Sequence, residues 1–365
     1  MSDLSDFVAL SREAGSRVDY VQAGGGNTSF KLDDWYMAIK ASGYLLKEMT
    51  ESYGFVAVDG ALLKKYFEQS QPDQGQCGQA SDGVEQVVSS VEQISGGVEQ
   101  KDKNKESMDL AIASIKSING EASARPSVEI GFHSILQKFV LHLHPVYAAV
   151  LLCSEGGMEK IAGILEAEGI GCVSVPYYMP GYMLTAMIRD AAADYEARTG
   201  EKPKVILMKN HGVATTAQTA GEALSLMEAV NEAIIKALSL PAFECGYTLS
   251  ECEEGYECKS FPEFLRDPDI AAACGYSALY PDQLVYIYHE VGLNEKDGKK
   301  ISIGDRILYR TGAKEATAMH ETLLGVAYVY GCMAEKGLNP DLLNDEECAQ
   351  ILGWDSEKYR RSLMK

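Results

Sequence analysis

The chain has few basic residues for its length. Among 365 residues, 33 Lys and Arg stand against 53 Asp and Glu, which gives a formal net charge of −20. Nucleic-acid binding needs clustered Lys and Arg to neutralise phosphates, so this balance argues against a nucleic-acid partner. It equally argues against an anionic membrane surface. A small anionic substrate is compatible with it, because one local cation outweighs a distant negative field.

Long apolar stretches and targeting signals are also missing. No run approaches the roughly 18 apolar residues of a membrane-spanning helix, and Met1–Asp6 shows no basic segment followed by an apolar one. The nine cysteines form no Cys-x-x-Cys pair, which indicates reduced thiols in a reducing compartment. We interpret the one sequence cluster, Cys245, Cys252 and Cys258, in the same way. The expected location is the cytoplasm, with no membrane partner.

Two nucleotide-binding motifs are absent: the P-loop with its Lys-Ser/Thr and the Gly-x-Gly-x-x-Gly fingerprint. Glycines do cluster at 24–26, just before Asn27, and a second turn contains Ser42 and Gly43. Such turns offer backbone N–H groups, hydroxyls and an amide, and Ser127 at a predicted helix start adds another donor. These residues are candidates for holding an anion.

Strand and helix patterns alternate along most of the chain. Strands are predicted at Thr28–Leu32, Trp35–Lys40, Phe55–Val58, Phe139–His144, Ala148–Cys153, Cys172–Val175, Lys204–Met208 and Leu284–Tyr288. Helices are predicted at Asp3–Ala14, Ser107–Ile118, Val128–Lys138 (with Ser127 as N-cap), Gly157–Glu168, Leu184–Arg198, Ala220–Leu238 and Ala316–Glu335. The alternation predicts an α/β or α+β protein in which helices flank a sheet.

Two regions depart from this pattern. Residues 71–107 are rich in Gln, Ser, Gly and Glu, and the unit Val-Glu-Gln recurs there at seven-residue spacing. The repeat is too short and too interrupted for a coiled coil, so we predict a solvated insertion. Residues 241–365 begin with an irregular Cys- and Glu-rich segment and are predicted to form a smaller appended unit.

The chain has only six histidines, and two of them lie in one predicted strand, as His142-Leu143-His144. Residues i and i+2 of a strand point to the same face, so both imidazoles converge on one spot. For this pair alone, a metal site and two hydrogen-bonded core histidines are equally good interpretations. His211 favours the metal site, because it closes another strand in Asn210-His211-Gly212 and completes a His₃ set typical of catalytic metal centres.

Glu129 lies at the start of the helix that leads into the His-x-His strand. A carboxylate is favoured there by the helix dipole and can face what the strand presents, so Glu129 is a candidate general base. The alternative is an ordinary helix-start acid. His133, four residues further along the same helical face, is expected to brace the structure rather than to bind metal.

Together these residues resemble the class II aldolase/adducin family. The motifs that carry the resemblance are, in order, Gly26-Asn27-Thr28-Ser29, Ala41-Ser42-Gly43, Pro126-Ser127-Val128-Glu129, His142-Leu143-His144-Pro145, Pro176-Tyr177 with Gly181, and Asn210-His211-Gly212. The resemblance implies a three-layer α/β catalytic domain over residues 1–240, with a central, mainly antiparallel sheet flanked by helices. Residues 71–124 are then an insertion, and residues 241–365 a smaller C-terminal α/β extension of unknown role.

The resemblance also implies roles for the motif residues. His142, His144 and His211 correspond to ligands of Zn²⁺ or another divalent metal such as Mn²⁺. Glu129 corresponds to the acid/base that approaches the metal when substrate is absent. Tyr177 resembles a tyrosine that assists proton transfer from a neighbouring subunit of a homotetramer.

Four further positions match those that hold the substrate phosphate in the family: Asn27, Ser42, Gly43 and Ser127. Val128 is a departure, because the fuculose-phosphate aldolases have a second serine at that position. The chain therefore has one phosphate donor fewer than those enzymes, which leaves its particular sugar open.

In amino-acid sequence, the motifs are most similar to the aldolase portions of bifunctional rhamnulose-phosphate aldolase/dehydrogenases. The expected reaction is cleavage of a ketose 1-phosphate, of the rhamnulose or fuculose type, to dihydroxyacetone phosphate and a short aldehyde through a metal-stabilised enediolate. The same site also suits a pentulose-phosphate 4-epimerase, a sugar-phosphate dehydratase or a sugar-acid-phosphate decarboxylase. A non-catalytic, adducin-like scaffold is the alternative of another class, and it predicts missing metal ligands.

Overall fold

A computed structural model of the protein describes residues 3–69, 93–116, 124–260, 262–294 and 298–354, and only the backbone within 93–102. Most of the predicted insertion therefore lies outside the described residues. Its later part belongs to a helix, Gln93–Ala113. The predicted helix Ser107–Ile118 is thus correct in its first half only, since Ile115 and Lys116 form a short strand.

Within the described residues, eight strands form the central sheet. They are β1 Asn27–Lys31, β2 Tyr36–Lys40, β3 Phe55–Asp59, β4 Ile115–Lys116, β5 Phe139–Leu143, β6 Cys172–Val175, β7 Val205–Met208 and β8 Gly212–Ala217. Their order across the sheet is β4-β3-β2-β1-β5-β8-β7-β6. Every neighbouring pair is antiparallel except β6 and β7. The prediction of a mainly antiparallel central sheet is confirmed.

Helices cover both faces of this sheet. They are α1 Asp3–Gly15, α2 Gly60–Gln69, α3 Gln93–Ala113, α4 Ile130–Ile135, α5 Val146–Leu152, α6 Gly157–Ala167, α7 Tyr182–Thr199 and α8 Ala220–Leu238. Strand alternation divides the core between the faces. In β5, Leu141 and Leu143 join the cluster that contains α1, α5, α6 and α8, while Val140 joins Phe132 of α4 and Ile188 of α7 on the other side. The three-layer architecture follows.

The C-terminal region, residues 241–365, adds a second sheet and four helices within its described part. These are β9 Ser250–Cys252, β10 Gly255–Cys258, β11 Val291–Leu293, β12 Ile301–Ile303, β13 Ile307–Tyr309, α9 Pro268–Tyr276, α10 Pro281–Tyr286, α11 Ala313–Lys336 and α12 Asp345–Gly353. The strands pair in the order β11-β12-β13-β10-β9. One buried apolar cluster runs from Phe7 of α1 to Ile351 of α12, so the extension packs directly onto the larger unit. Among the described helices, none combines the length and the apolarity that a membrane crossing requires.

Two predicted strands are helices in the structure. Ala148–Cys153 belongs to α5, in which all seven residues are buried. Leu284–Tyr288 falls largely in α10, which begins with Pro281 and is also completely buried. A helix buried on every side has no face exposed to solvent, so its sequence lacks the alternation of apolar and polar positions that distinguishes a helix from a strand.

The helix predicted for Val128–Lys138 is shorter than expected. It spans only the six residues of α4, and its N-cap position is Glu129 rather than Ser127. The Glu129 side chain makes no cap hydrogen bond and instead accepts from Asn27 of β1. The Ser127 hydroxyl accepts both from Asn27 and from the backbone N–H of Glu129 at 3.3 Å. The start of α4 therefore lies close to β1, the strand that follows the glycine-rich loop.

Candidate active site

The two histidines of the His-x-His motif lie side by side at the end of β5. His142 is fully buried within the strand, and His144 follows the strand's last residue. Their ring centroids are 4.9 Å apart, and the two Nε2 atoms are 3.1 Å apart. The strand periodicity therefore brings both rings to one face, as the sequence pattern predicts.

His211 reaches the same spot from the tight turn between β7 and β8. Asn210 adopts a left-handed conformation with φ +50°, and Gly212 follows, where a Cβ would come within 2.4 Å of the Leu143 carbonyl oxygen. This turn places the His211 ring 5.0 Å from His142 and 5.3 Å from His144, measured between centroids. One nitrogen of each of the three rings lies within 4.8 Å of the others.

The hydrogen bonds of the rings fit a divalent cation. Nδ1 of His142 donates to the carbonyl oxygen of Val213 at 3.2 Å, and Nδ1 of His144 donates to the carboxylate of Asp282 at 2.6 Å. Both Nε2 atoms are then acceptors that face each other, an arrangement that a cation between them stabilises. A tetrahedral zinc with Zn–N bonds near 2.05 Å separates its nitrogens by about 3.3 Å, so the three imidazoles need only small movements to bind one.

Glu129 lies against two of these rings. Its carboxylate is 2.9 Å from Nε2 of His211 and 3.5 Å from Nε2 of His142. Burial raises the pKa of Glu129, but the imidazoles of His142 and His211 lower it by more, so the pKa lies well below its usual value. Burial lowers the pKa of His211 against the opposing effect of Glu129. The site therefore combines an ionised carboxylate with a neutral ring, the form of histidine that binds metals.

His133 is not part of this group but supports it. The ring is completely buried, its Nε2 is hydrogen-bonded to Oδ1 of Asn27, and its Nδ1 lies 2.7 Å from the Ser29 hydroxyl. Asn27 in turn donates through Nδ2 to Glu129 at 2.6 Å and to Ser127 at 3.1 Å. His133 thus braces the structure, as expected, by fixing the amide that holds Glu129.

A pocket opens beside the histidines. Its lining includes Asn27, Ser42, Gly43, Ser127, Glu129, His144 and His211. The predicted anion-binding turns and two of the predicted metal ligands, His144 and His211, therefore meet in one cavity, although they come from five separate segments of the chain. The buried His142 ring lies next to both histidines. Val128 also lines the pocket, in the position where a second serine would have added a donor.

Two charged lining residues were not predicted from the sequence. Lys40, at the end of β2, is 4% exposed, and its ammonium group donates to the carbonyl oxygen of Gly24 at 3.1 Å. The sequence does contain a signal for Lys40, because it is a single cationic residue at the end of an apolar strand, just before Ser42 and Gly43. Asp282 of α10 reaches the pocket from the C-terminal extension. No pattern in the sequence around Asp282 indicates a role in the site.

Tyr177 does not line this pocket. Its hydroxyl is buried and has no hydrogen-bond partner among the described residues. Burial raises the pKa of the phenol, and Glu347 and Cys348 near α12 raise it further. The predicted role of Tyr177 is in the site of a neighbouring subunit, so a single chain does not test it.

Comparisons with known proteins identify the family of the chain. A family model described as the class II aldolase and adducin N-terminal domain matches residues 5–235. No curated protein matches the chain, whereas a number of solved structures do.

The N-terminal class II aldolase domain of a conserved protein from Thermoplasma acidophilum is 21% identical, with 65% of this chain and 94% of that chain covered and a TM-score of 0.47. L-fuculose-1-phosphate aldolase from Thermus thermophilus is 13% identical, with 64% and 95% covered and a TM-score of 0.37. Sugar-phosphate aldolase from Thermotoga maritima is 16% identical, with 65% and 98% covered and a TM-score of 0.39. The family model matches well over half of the residues of this chain, so the chain belongs to the class II aldolase and adducin N-terminal domain family.

Proposed function

We propose that the protein is a divalent-metal-dependent aldolase that cleaves a ketose 1-phosphate to dihydroxyacetone phosphate and a short aldehyde. The observation that carries the proposal is a cluster of three imidazoles, two of which line one pocket together with an ionised carboxylate and a set of anion-binding donors. A scaffold without catalysis has no need of this combination, since each buried polar group costs free energy unless it is paired.

His142, His144 and His211 would hold the cation, and Zn²⁺ or Mn²⁺ suits their nitrogen ligands. When bound, the cation supplies Lewis-acid stabilisation of the negative charge that develops on the substrate oxygens as the carbon–carbon bond breaks.

Glu129 is the proton-transfer group of this proposal. Asn27 holds one carboxylate oxygen, while the other lies toward His211. The carboxylate is ionised, which is the form that accepts a proton from the substrate. Because Asn27 is itself fixed by His133, the carboxylate is held in place before the substrate arrives, which reduces the entropy cost of the step.

The substrate phosphate would bind where Lys40, Ser42, Gly43 and Ser127 line the pocket. Lys40 supplies a buried positive charge there, and Ser42, Gly43 and Ser127 supply hydroxyl and backbone donors. This local charge is what allows a chain with a net charge of −20 to bind a phosphorylated sugar.

A substrate panel tests the reaction. Zinc- and manganese-loaded protein is incubated with rhamnulose 1-phosphate, fuculose 1-phosphate and related ketose phosphates, and dihydroxyacetone phosphate is measured with a coupled NADH assay. Release of dihydroxyacetone phosphate from at least one ketose 1-phosphate is the expected result. Formation of an epimerised pentulose phosphate, loss of water from a sugar phosphate or loss of CO₂ from a sugar-acid phosphate would instead assign one of the alternative reactions of this site.

The family resemblance also supports a homotetramer, in which Tyr177 of one chain serves a neighbouring site. Light scattering coupled to size-exclusion chromatography measures the assembly directly. We expect a mass close to four times the chain mass of 39.7 kDa, and a monomer would remove the proposed role of Tyr177.

A further inference from the structure

Asp282 connects the C-terminal extension to the histidine cluster. Its carboxylate accepts a hydrogen bond of 2.6 Å from Nδ1 of His144, and the side chain is 1% exposed. A carboxylate that accepts from Nδ1 fixes both the orientation of the ring and its tautomer, so that Nε2 keeps its lone pair. That lone pair faces Nε2 of His142.

We propose that Asp282 is a positioning residue of the metal site, and that the C-terminal extension thereby completes a site whose metal ligands all lie in the first 240 residues. The inference rests on the proposed function, because it requires that His142, His144 and His211 bind a divalent cation. It goes beyond that function by assigning a role to a residue that the family model, which ends at residue 235, does not include.

The glycine-rich loop is shaped around this contact. A Cβ on Gly25 would lie 2.3 Å from Oδ2 of Asp282 and 3.1 Å from Nδ1 of His144. No side chain fits at that distance without displacing the carboxylate or the ring. The backbone at Gly25 therefore closes over the hydrogen bond and keeps the two groups together.

Further contacts hold the extension in register with the loops of the site. Glu321 of α11 accepts a hydrogen bond of 2.8 Å from the backbone N–H of Ala23, which precedes the glycines. The side chain of Asn210, next to His211, donates to the carbonyl oxygens of Leu279 and Asp341 at 2.9 and 2.6 Å. The extension thus contacts both the glycine-rich loop and the turn that carries His211, which helps to keep Asp282 next to His144.

The test compares Asp282→Asn with Asp341→Asn in the full-length chain. Both substitutions replace an aspartate of the extension by its neutral isostere, but the carboxylate of Asp341 pairs with Lys209 rather than with a histidine. Asparagine at 282 can donate to Nδ1 of His144 and thereby favour the tautomer whose Nε2 carries the proton and cannot bind metal. Zn²⁺ dissociation constants are measured by competition with a chromophoric chelator, and the melting temperature of each metal-free protein is recorded.

Asp282→Asn is expected to weaken Zn²⁺ binding by about 10–100-fold, while Asp341→Asn binds as the wild type does. Gly25→Ala, which displaces the same contact without changing either partner, is expected to weaken Zn²⁺ binding as well and provides the test if Asp282→Asn does not fold. A dissociation constant within about twofold of the wild-type value in the folded variants would overturn the role of Asp282. Failure of the wild type itself to bind Zn²⁺ or Mn²⁺ would overturn the proposed function and this inference with it.

Discussion

The carboxylate of Glu129 lies 2.9 Å from Nε2 of His211, within the group of nitrogens that is able to bind a cation. Glu129 can take a proton from a bound substrate only as a base. The three imidazoles are sufficient to hold the cation without it. The two roles can therefore be separated by substitution.

Glu129→Gln is expected to retain zinc and to lose turnover by about 10²–10⁴-fold, because the amide preserves the shape of the side chain but accepts no proton. Zinc content and kcat for the active ketose phosphate are the measurements. Glu13→Gln, a helix acid of α1 outside the pocket, is the matched control. A Glu129→Gln enzyme with full activity would refute the role of Glu129 as the base.

His211→Ala is expected to weaken zinc binding by more than about 100-fold, since the loss of a direct ligand exceeds the loss of an outer partner. His133→Gln is the control, because His133 contacts Ser29 and Asn27 but not the ligand nitrogens. It should keep zinc and lose about 1–3 kcal/mol of unfolding free energy. Metal analysis after dialysis and denaturant titration give the two values. Equal zinc contents in the two variants would contradict the assignment of His211.

Lys40→Met should act on phosphate binding. Loss of a charged contact worth about 1.5–3 kcal/mol lowers kcat/KM for the phosphorylated ketose by about 10–100-fold. The effect on the unphosphorylated ketose should be small, and zinc affinity should not change. Lys138→Met is the control, because Lys138 pairs with Asp3 at the protein surface. If Lys40→Met lowered kcat/KM equally for both substrates, Lys40 would not be a phosphate ligand.

His320 predicts a pH dependence of stability that is independent of the metal site. Burial lowers the pKa of His320 to about 4, whereas an unfolded histidine titrates near 6.5. Below pH 6.5 the unfolded chain binds more protons than the folded one, so stability falls as the pH is lowered toward 4. Between pH 7 and pH 5 this group accounts for a loss of about 2 kcal/mol.

His320→Gln should reduce this loss, because the amide does not titrate and can still bind the Tyr309 hydroxyl, which lies 2.6 Å from Nδ1 of His320. Urea denaturation of the metal-free proteins at both pH values measures the difference. If the wild type and the variant lose the same stability between pH 7 and pH 5, the low pKa of His320 is disproved.

The sequence was sufficient to predict the parts of the site that depend on local geometry. The His-x-His spacing converges because strand residues alternate, and Asn210 and Gly212 flank His211 in a turn for which their backbone preferences are suited. The pairing of Asp282 with His144 has no such local basis, because 138 residues separate the two. It depends on how α10 packs, and α10 itself was predicted as a strand because its residues are buried on every side.

The direction of three hydrogen bonds determines which amino acid is acceptable at position 27. The amide oxygen of Asn27 accepts a hydrogen bond from Nε2 of His133, and its nitrogen donates to Ser127 and to Glu129. An aspartate, although identical in shape, would have no proton to give and would set a second negative charge against Glu129. Only a side chain that accepts a hydrogen bond at one end and donates hydrogen bonds at the other suits this position. Asn27→Asp should therefore destabilise the site more than its similarity in size suggests.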